Sequence, residues 1–307
     1  MTETGTGLCP LFLLSLPRTG STLLQRMLST HSKISTTDEV WILLPYLYSL
    51  RGNGLYAEYD HRVAVAGIKN FCKFLPGGRE AYLKEIKQLA LRIYRLASSP
   101  HSMYFLDKTP RYHLIVEEII SLFGDGRFVF LWRNPLAVVA SMVDTGAGGR
   151  WWLHSHRVDL FTGLTGLVDA YCRHRERYFA LRYEDLVAEP EAQMRGILGY
   201  LGLTWEPGLI HPIDQQPLFK WRRTLATPVR KRWCARYLRW IGSERLAIMG
   251  YNLGELLAQL SELPTRYSML SDYYLTVKAA VWNVVEPTIA QEKLAKIPDC
   301  HRIERHS

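Results

Sequence analysis

An apolar run from Leu11 to Leu16 breaks at Pro17, gives way to Arg18-Thr19-Gly20-Ser21-Thr22, and passes into helical periodicity from Leu23 onward. No other stretch constrains the fold as tightly, because it predicts a strand, an anion-binding loop and a helix start in sequence. Gly20 lets the backbone turn tightly. Ser21 and Thr22 offer hydroxyl and N-cap groups, and the free N–H groups of the first turn, through Leu23, carry partial positive charge. A phosphate or sulfate group suits such a cradle. The nucleotide P-loop also joins strand to helix through glycine, but it reads G-x-x-x-x-G-K-[ST]. Here Ser21 follows Gly20, and the nearby cation is Arg18, which approaches from the loop's entry.

A second segment, GRFVFLWRNPLAVVASMVDT from Gly126, repeats the logic: Phe128 to Trp132 predict a buried strand, and Asn134-Pro135 open a helix. Arg133 stands at the strand's carboxyl end and Ser141 lies eight positions on, about two helical turns away, so both can face one anion. A third segment, YFALRYEDLVAEP from Tyr178 to Pro190, predicts a short strand ending in Arg182-Tyr183-Glu184-Asp185-Leu186, then a helix from about Pro190.

The loop PRTGSTLL resembles the 5′-phosphosulfate loop of sulfotransferases that use 3′-phosphoadenosine 5′-phosphosulfate (PAPS), and Arg133 with Ser141 is similar to that family's 3′-phosphate motif. The resemblance, closest in style to bacterial and tyrosylprotein sulfotransferases, implies PAPS as donor co-substrate, bound by Arg18, Thr19, Gly20, Ser21, Thr22, Leu23, Arg133 and Ser141. It puts Tyr183 near the adenosine. It implies a P-loop-like α/β fold to about residue 255, and a hydroxyl acceptor: a carbohydrate, a phenol or tyrosine, a lipid or a secondary metabolite. In the same family a catalytic lysine precedes threonine after a strand, which matches Lys108 in FLDKTPRYH. Where cytosolic sulfotransferases carry a histidine after that pair, this chain has Pro110. The resemblance therefore implies a carboxylate base, Glu39 in STTDEVWILLPYLY, beside Trp41. Thr36-Thr37-Asp38-Glu39 also fits a helix capping box, and His113, His154 and His156 stand as reserve bases.

The chain of 307 residues is long enough for a substantial core, and no linker, repeat or low-complexity tract divides it. A single domain over 1–307 is expected, as a mostly parallel sheet flanked by helices. Strands are predicted at residues 11, 103, 127 and 178. Helical segments at Asp38 to Leu50, His61 to Phe74 and Arg79 to Ala97 form a large helical insertion, about 35–100, after the first βα unit, on the acceptor side. Gly146-Ala147-Gly148-Gly149 offers a lid for that cleft. A helical extension, about 256–307, carries Tyr267, Tyr273, Tyr274 and Trp282; it can cap the cleft, form a homodimer contact or simply pack.

A formal net charge of +9 suits an anionic donor. The basic and aromatic cluster from Trp221 to Trp240 could suggest nucleic acid, but no recognised nucleic-acid module accompanies it, so it is read as partly closing over the nucleotide. Five scattered cysteines, Cys9, Cys72, Cys172, Cys234 and Cys300, read as reduced, with no metal. MTETGTG lacks the positive charge of a signal peptide, and no run approaches the roughly 20 apolar residues of a membrane span. A cytoplasmic protein is expected. The rival readings are a P-loop kinase, disfavoured by the missing G-K-[ST], and a non-catalytic nucleotide-binding protein.

Overall fold

The computed structural model describes residues 7–278 and 281, apart from 53, 56, 147, 211–216, 266–269 and 271. Five strands form one sheet: β1 (Cys9–Leu14), β2 (Ile34–Thr36), β3 (Tyr104–Asp107), β4 (Arg127–Trp132) and β5 (Phe179–Arg182). Their order is β2-β3-β1-β4-β5, and every pairing is parallel. Because β1 is central, with its neighbours connecting to either side, the loop leaving its carboxyl end sits where a parallel sheet ordinarily binds ligand.

Alternation along the strands makes two cores. Phe12, Leu14, Phe128, Phe130 and Trp132 point to one face; Leu11, Leu13, Val129 and Leu131 point to the other. Each such side chain, fully buried, contributes about 1.5–3 kcal/mol. The first face is covered by α4 (Gly78–Leu96), α5 (Val116–Leu122), α6 (Pro135–Gly146), α7 (Leu164–Arg173) and α11 (Pro228–Ile248). The second is covered by α1 (Ser21–Ser29), α8 (Tyr183–Ala188) and α9 (Pro190–Leu201). The remaining helices are α2 (Leu43–Tyr48), α3 (His61–Cys72), α10 (Pro217–Thr224) and α12 (Leu253–Ser261).

Several expectations are corrected. The first strand spans Cys9–Leu14, not Leu11–Leu16, and β2 is an additional edge strand of three residues. The stretch Asp38 to Leu50 is helical only over Leu43–Tyr48. The Thr36 hydroxyl is no cap: it lies on β2 and donates to the Leu106 carbonyl at 2.7 Å. Between α6 and α7 the chain forms a 3-10 turn at His154–His156 and a π-helix at Val158–Gly163. Helices α2, α3 and α4 do lie between β2 and β3, so the helical stretch follows β2 rather than the first βα unit directly. Ala147, Tyr267, Trp282 and Cys300 lie outside the described residues.

Candidate functional site

Gly20 caps α1 at φ 93°, a left-handed conformation that favours glycine. A Cβ there would stand 2.3 and 2.4 Å from two ring carbons of Tyr183, so the glycine is also required by the ring lying on it. The Thr19 hydroxyl donates to the Leu16 carbonyl at 2.8 Å and closes the turn. Ser21 is buried, Leu23 is half-buried and Thr22 faces solvent.

Among the described residues, the non-glycine residues with positive φ are Arg18 (71°) and Trp41 (60°). Such conformations cost about 1–3 kcal/mol and persist only where surrounding contacts impose them. Arg18 is held from both ends. Its carbonyl accepts from the Arg133 guanidinium at 2.8 Å; its own guanidinium donates to Ser141 Oγ (3.3 Å) and Thr145 Oγ1 (2.9 Å). Arg18 thus links the Arg133 guanidinium to the α6 hydroxyls. Arg133 is nearly buried and lies 4.3 Å from the Tyr183 ring centroid. Burial presses its guanidinium down from the usual range, with Tyr183 and Glu184 opposing.

Glu184 joins the second and third segments. Its carboxylate accepts the Asn134 N–H (3.0 Å) and the Tyr251 hydroxyl (2.6 Å). Arg182 and Asp185 pair through two hydrogen bonds, and Arg182 also donates to the Gly250 carbonyl. The RYED run therefore fixes Tyr183 over Gly20 and the start of α6. Sequence inspection singled out only the tyrosine.

At the end of β3, Lys108 is buried and donates from Nζ to Glu39 Oε1 at 3.0 Å. The Trp41 indole N–H donates to Glu39 Oε2 at 3.1 Å, and the Trp41 backbone N–H to Thr109 Oγ1 at 3.2 Å. The Glu39 side chain is 39 % exposed and ion-paired, because residues 37–42 run as an irregular connection beside the β3 end. That connection is tied to the anion loop's own helix, since Gln25 of α1 donates to Thr36 Oγ1 (2.9 Å) and to the Thr37 carbonyl (2.8 Å).

Beneath Lys108 lies a residue the sequence reading passed over. Asp107 is fully buried, accepting from the Tyr94 and Tyr112 hydroxyls (2.6 and 2.9 Å) and from Thr109 (2.9 Å). Burial raises its carboxyl to about 6, against the pull of those hydrogen bonds and of Lys108. The only available signal was an aspartate among YFLDKT, flanked by tyrosines.

Two of the reserve histidines, His113 and His156, lie beside Asp159. His113 is buried, at 2.8 Å from Asp159, which also meets Arg111 (3.1 Å) and His156 (3.8 Å). Burial would raise the Asp159 carboxyl, but these partners hold it down to about 2. His156 packs over Gly146. In the basic cluster, Arg230 is bound by Asp272 through two hydrogen bonds (2.8 and 2.9 Å), and by the Thr224 and Gly149 carbonyls. Gly149, in the loop expected as a lid, is thereby anchored. No group of three or more metal-ligating side chains occurs among the described residues, nor any helix long and apolar enough to cross a membrane.

The profile of the Sulfotransferase family matches residues 10–207. Among curated relatives, nodulation protein NoeE of Sinorhizobium fredii is 27% identical over 226 residues, covering 62% of this chain and 49% of that protein. The protein-tyrosine sulfotransferase of Drosophila melanogaster is 26% identical over 207 residues, covering 66% and 39%. The chain thus spans about half, or less, of the length of these relatives. A sulfotransferase of Alicyclobacillus acidocaldarius bears a loose structural likeness, at TM-score 0.48 and 14% identity over 80% of this chain and 97% of that one. The matched residues run from β1 beyond α9 and take in all five strands, the Gly20 loop, the Lys108–Glu39 pair and the Arg133–Tyr183 stack: the chain belongs to the sulfotransferase family.

Proposed function

We propose that this protein transfers a sulfuryl group from PAPS to a hydroxyl acceptor, by in-line displacement without a metal. The observation that carries the reading is the juxtaposition, at adjacent strand ends, of a glycine loop closed by Arg18 and Arg133 with the Lys108–Glu39 ion pair. The first offers backbone N–H groups and guanidinium charge to a doubly anionic nucleotide. The second offers a cation and a carboxylate to the reacting group. Residues Thr19, Gly20, Ser21, Thr22 and Leu23 would hold the 5′-phosphosulfate; Arg133 and Ser141 the 3′-phosphate; Tyr183 the adenosine end.

In a sulfuryl transfer the acceptor oxygen attacks sulfur as the bond from sulfur to the phosphate oxygen breaks, and charge builds on the leaving phosphate and the equatorial oxygens. Arg18, the loop N–H groups and Lys108 stabilise that charge. Glu39 Oε1, held at 3.0 Å by Lys108, takes the acceptor proton. As Lys108 turns to the sulfuryl oxygens, Glu39 is released to act as base, while the Trp41 indole keeps it in place.

The acceptor hydroxyl belongs to a carbohydrate, a phenol or tyrosine, a lipid or a secondary metabolite. The scattered cysteines, of which Cys9, Cys72, Cys172 and Cys234 carry free thiols, support a reducing, cytoplasmic setting. The reading is tested by incubating the chain with radiolabelled PAPS and a panel of such acceptors, without magnesium. Transfer that is lost in Lys108→Ala and Glu39→Gln is expected. Full turnover in Glu39→Gln would overturn the carboxylate base.

A further inference from the structure

The two hydroxyls that accept from the Arg18 guanidinium, those of Ser141 and Thr145, stand on the carboxyl-terminal half of α6. Thr145 gives its own proton to the Ser141 carbonyl at 2.7 Å, which leaves its lone pairs to the arginine. The setting of Arg18 therefore depends on what fixes that half of the helix, the more so because its φ of 71° persists only under imposed contacts. Two contacts fix it. Asp144 accepts the Thr224 hydroxyl at 3.0 and 2.9 Å, and the Val143 carbonyl accepts the Gly149 N–H at 3.0 Å.

Both contacts lead to one guanidinium. Arg230 donates from Nη1 to the Thr224 carbonyl at 2.7 Å and from Nη2 to the Gly149 carbonyl at 3.1 Å. Asp272 takes its remaining edge, accepting Nε at 2.8 Å on Oδ2 and Nη2 at 2.9 Å on Oδ1. The Thr227 hydroxyl, at the start of α11, also donates to Oδ2 at 2.7 Å. The two charged side chains are only 13 and 3 % exposed, so removing the carboxylate would leave a buried, uncompensated cation. Only a planar fork can meet a carboxylate and two carbonyls at once; an ammonium cannot.

Asp272 lies in the helical residues 272–278, well past residue 207, where the family match ends. We infer that Asp272 is a positioning residue for the donor cradle. By holding Arg230 it sets Thr224 and Gly149, these set the carboxyl-terminal half of α6, and the Ser141 and Thr145 hydroxyls then aim Arg18 at the donor. The inference rests on the proposed reading of Arg18 as a donor ligand.

Calorimetric titration of adenosine 3′,5′-bisphosphate into wild type, Asp272→Asn and Thr224→Val, with Tm and sulfuryl-transfer kinetics for each, tests it. Asp272→Asn is expected to lose about tenfold in bisphosphate affinity and to raise the donor KM to match, while the acceptor KM stays near wild type. Arg230→Lys keeps the charge but not the fork, and should behave alike. Thr224→Val removes only the hydroxyl to Asp144, and should lose about threefold; it carries the test if Asp272→Asn does not fold. Wild-type affinity in either folded variant, or donor and acceptor KM values raised equally, overturns the inference and leaves the donor reading standing. A wild-type chain that does not bind the bisphosphate overturns the donor reading, and the inference with it.

Discussion

The two edges of the candidate site are built by opposite means. On the donor edge, the backbone does the shaping: Gly20 at φ 93° receives the Tyr183 ring, Arg133 stacks on that ring, and its guanidinium holds the Arg18 carbonyl. On the acceptor edge, a buried carboxylate does it: Asp107 gathers Tyr94, Tyr112 and Thr109, and Thr109 holds Trp41 beside Glu39. A backbone cradle of this kind is specified locally, by short runs around its glycine and its arginines. A hydrogen-bonded network is specified by residues far apart in sequence, and it responds to pH.

The sharpest separation of the edges is expected from Lys108→Ala. Turnover should fall about a thousandfold, the loss typical of removing a preorganised donor to developing charge, while affinity for adenosine 3′,5′-bisphosphate measured by calorimetry stays near wild type. Equal losses in turnover and nucleotide affinity would mean that the edges are not distinct. Gly20→Ala reverses the pattern. Left-handed strain and displacement of the Tyr183 ring together cost on the order of 3 kcal/mol, so nucleotide affinity should drop about a hundredfold in the same titration.

Asp107→Asn acts on the acceptor edge alone, and through pH. With its carboxyl raised to about 6 in the folded chain, against 3.8 ordinarily, the folded state keeps a proton that the unfolded chain has already released. Stability therefore falls as pH rises from roughly 4 to 6, by on the order of 3 kcal/mol from this group. Urea unfolding across that window should show a slope in the wild type that Asp107→Asn removes. Asp159, held down to about 2, carries the opposite sign, with stability lost as pH falls below about 4. The smallest effect belongs to Ser141→Ala. It deletes one neutral partner of Arg18, and nucleotide affinity should change by a few-fold.

The same contrast governs what could be read from the chain. The donor edge was legible because each part is a short run: a strand, a punctuating Pro or Arg, and a helix start at Gly20, Asn134 or Tyr183. Even there Glu184 escaped notice, since its partners Asn134 and Tyr251 lie 50 and 67 residues away. On the acceptor edge, Lys108 and Glu39 were found through family resemblance. Their pairing across 69 residues, and the Asp107 network that holds it, have no local pattern. The irregular path of residues 37–42 departs from the helix that its apolar spacing predicts; the Trp41 N–H bond to Thr109 and the Gln25 bonds to Thr36 and Thr37 outweigh that preference. Ile34–Thr36 is too short for a strand pattern to register, and only its pairing with β3 defines it.

The central claim is that Arg18 and Arg133 together form a cradle for a nucleotide bearing both 3′ and 5′ anionic groups. Calorimetric titration of adenosine 3′,5′-bisphosphate and of ATP, each without magnesium, into wild type and Arg133→Ala tests it most directly. The account predicts saturable binding of the bisphosphate, weaker binding of ATP, and a loss of about tenfold or more in the variant. Preference for ATP, or bisphosphate affinity unchanged by Arg133→Ala, would contradict it.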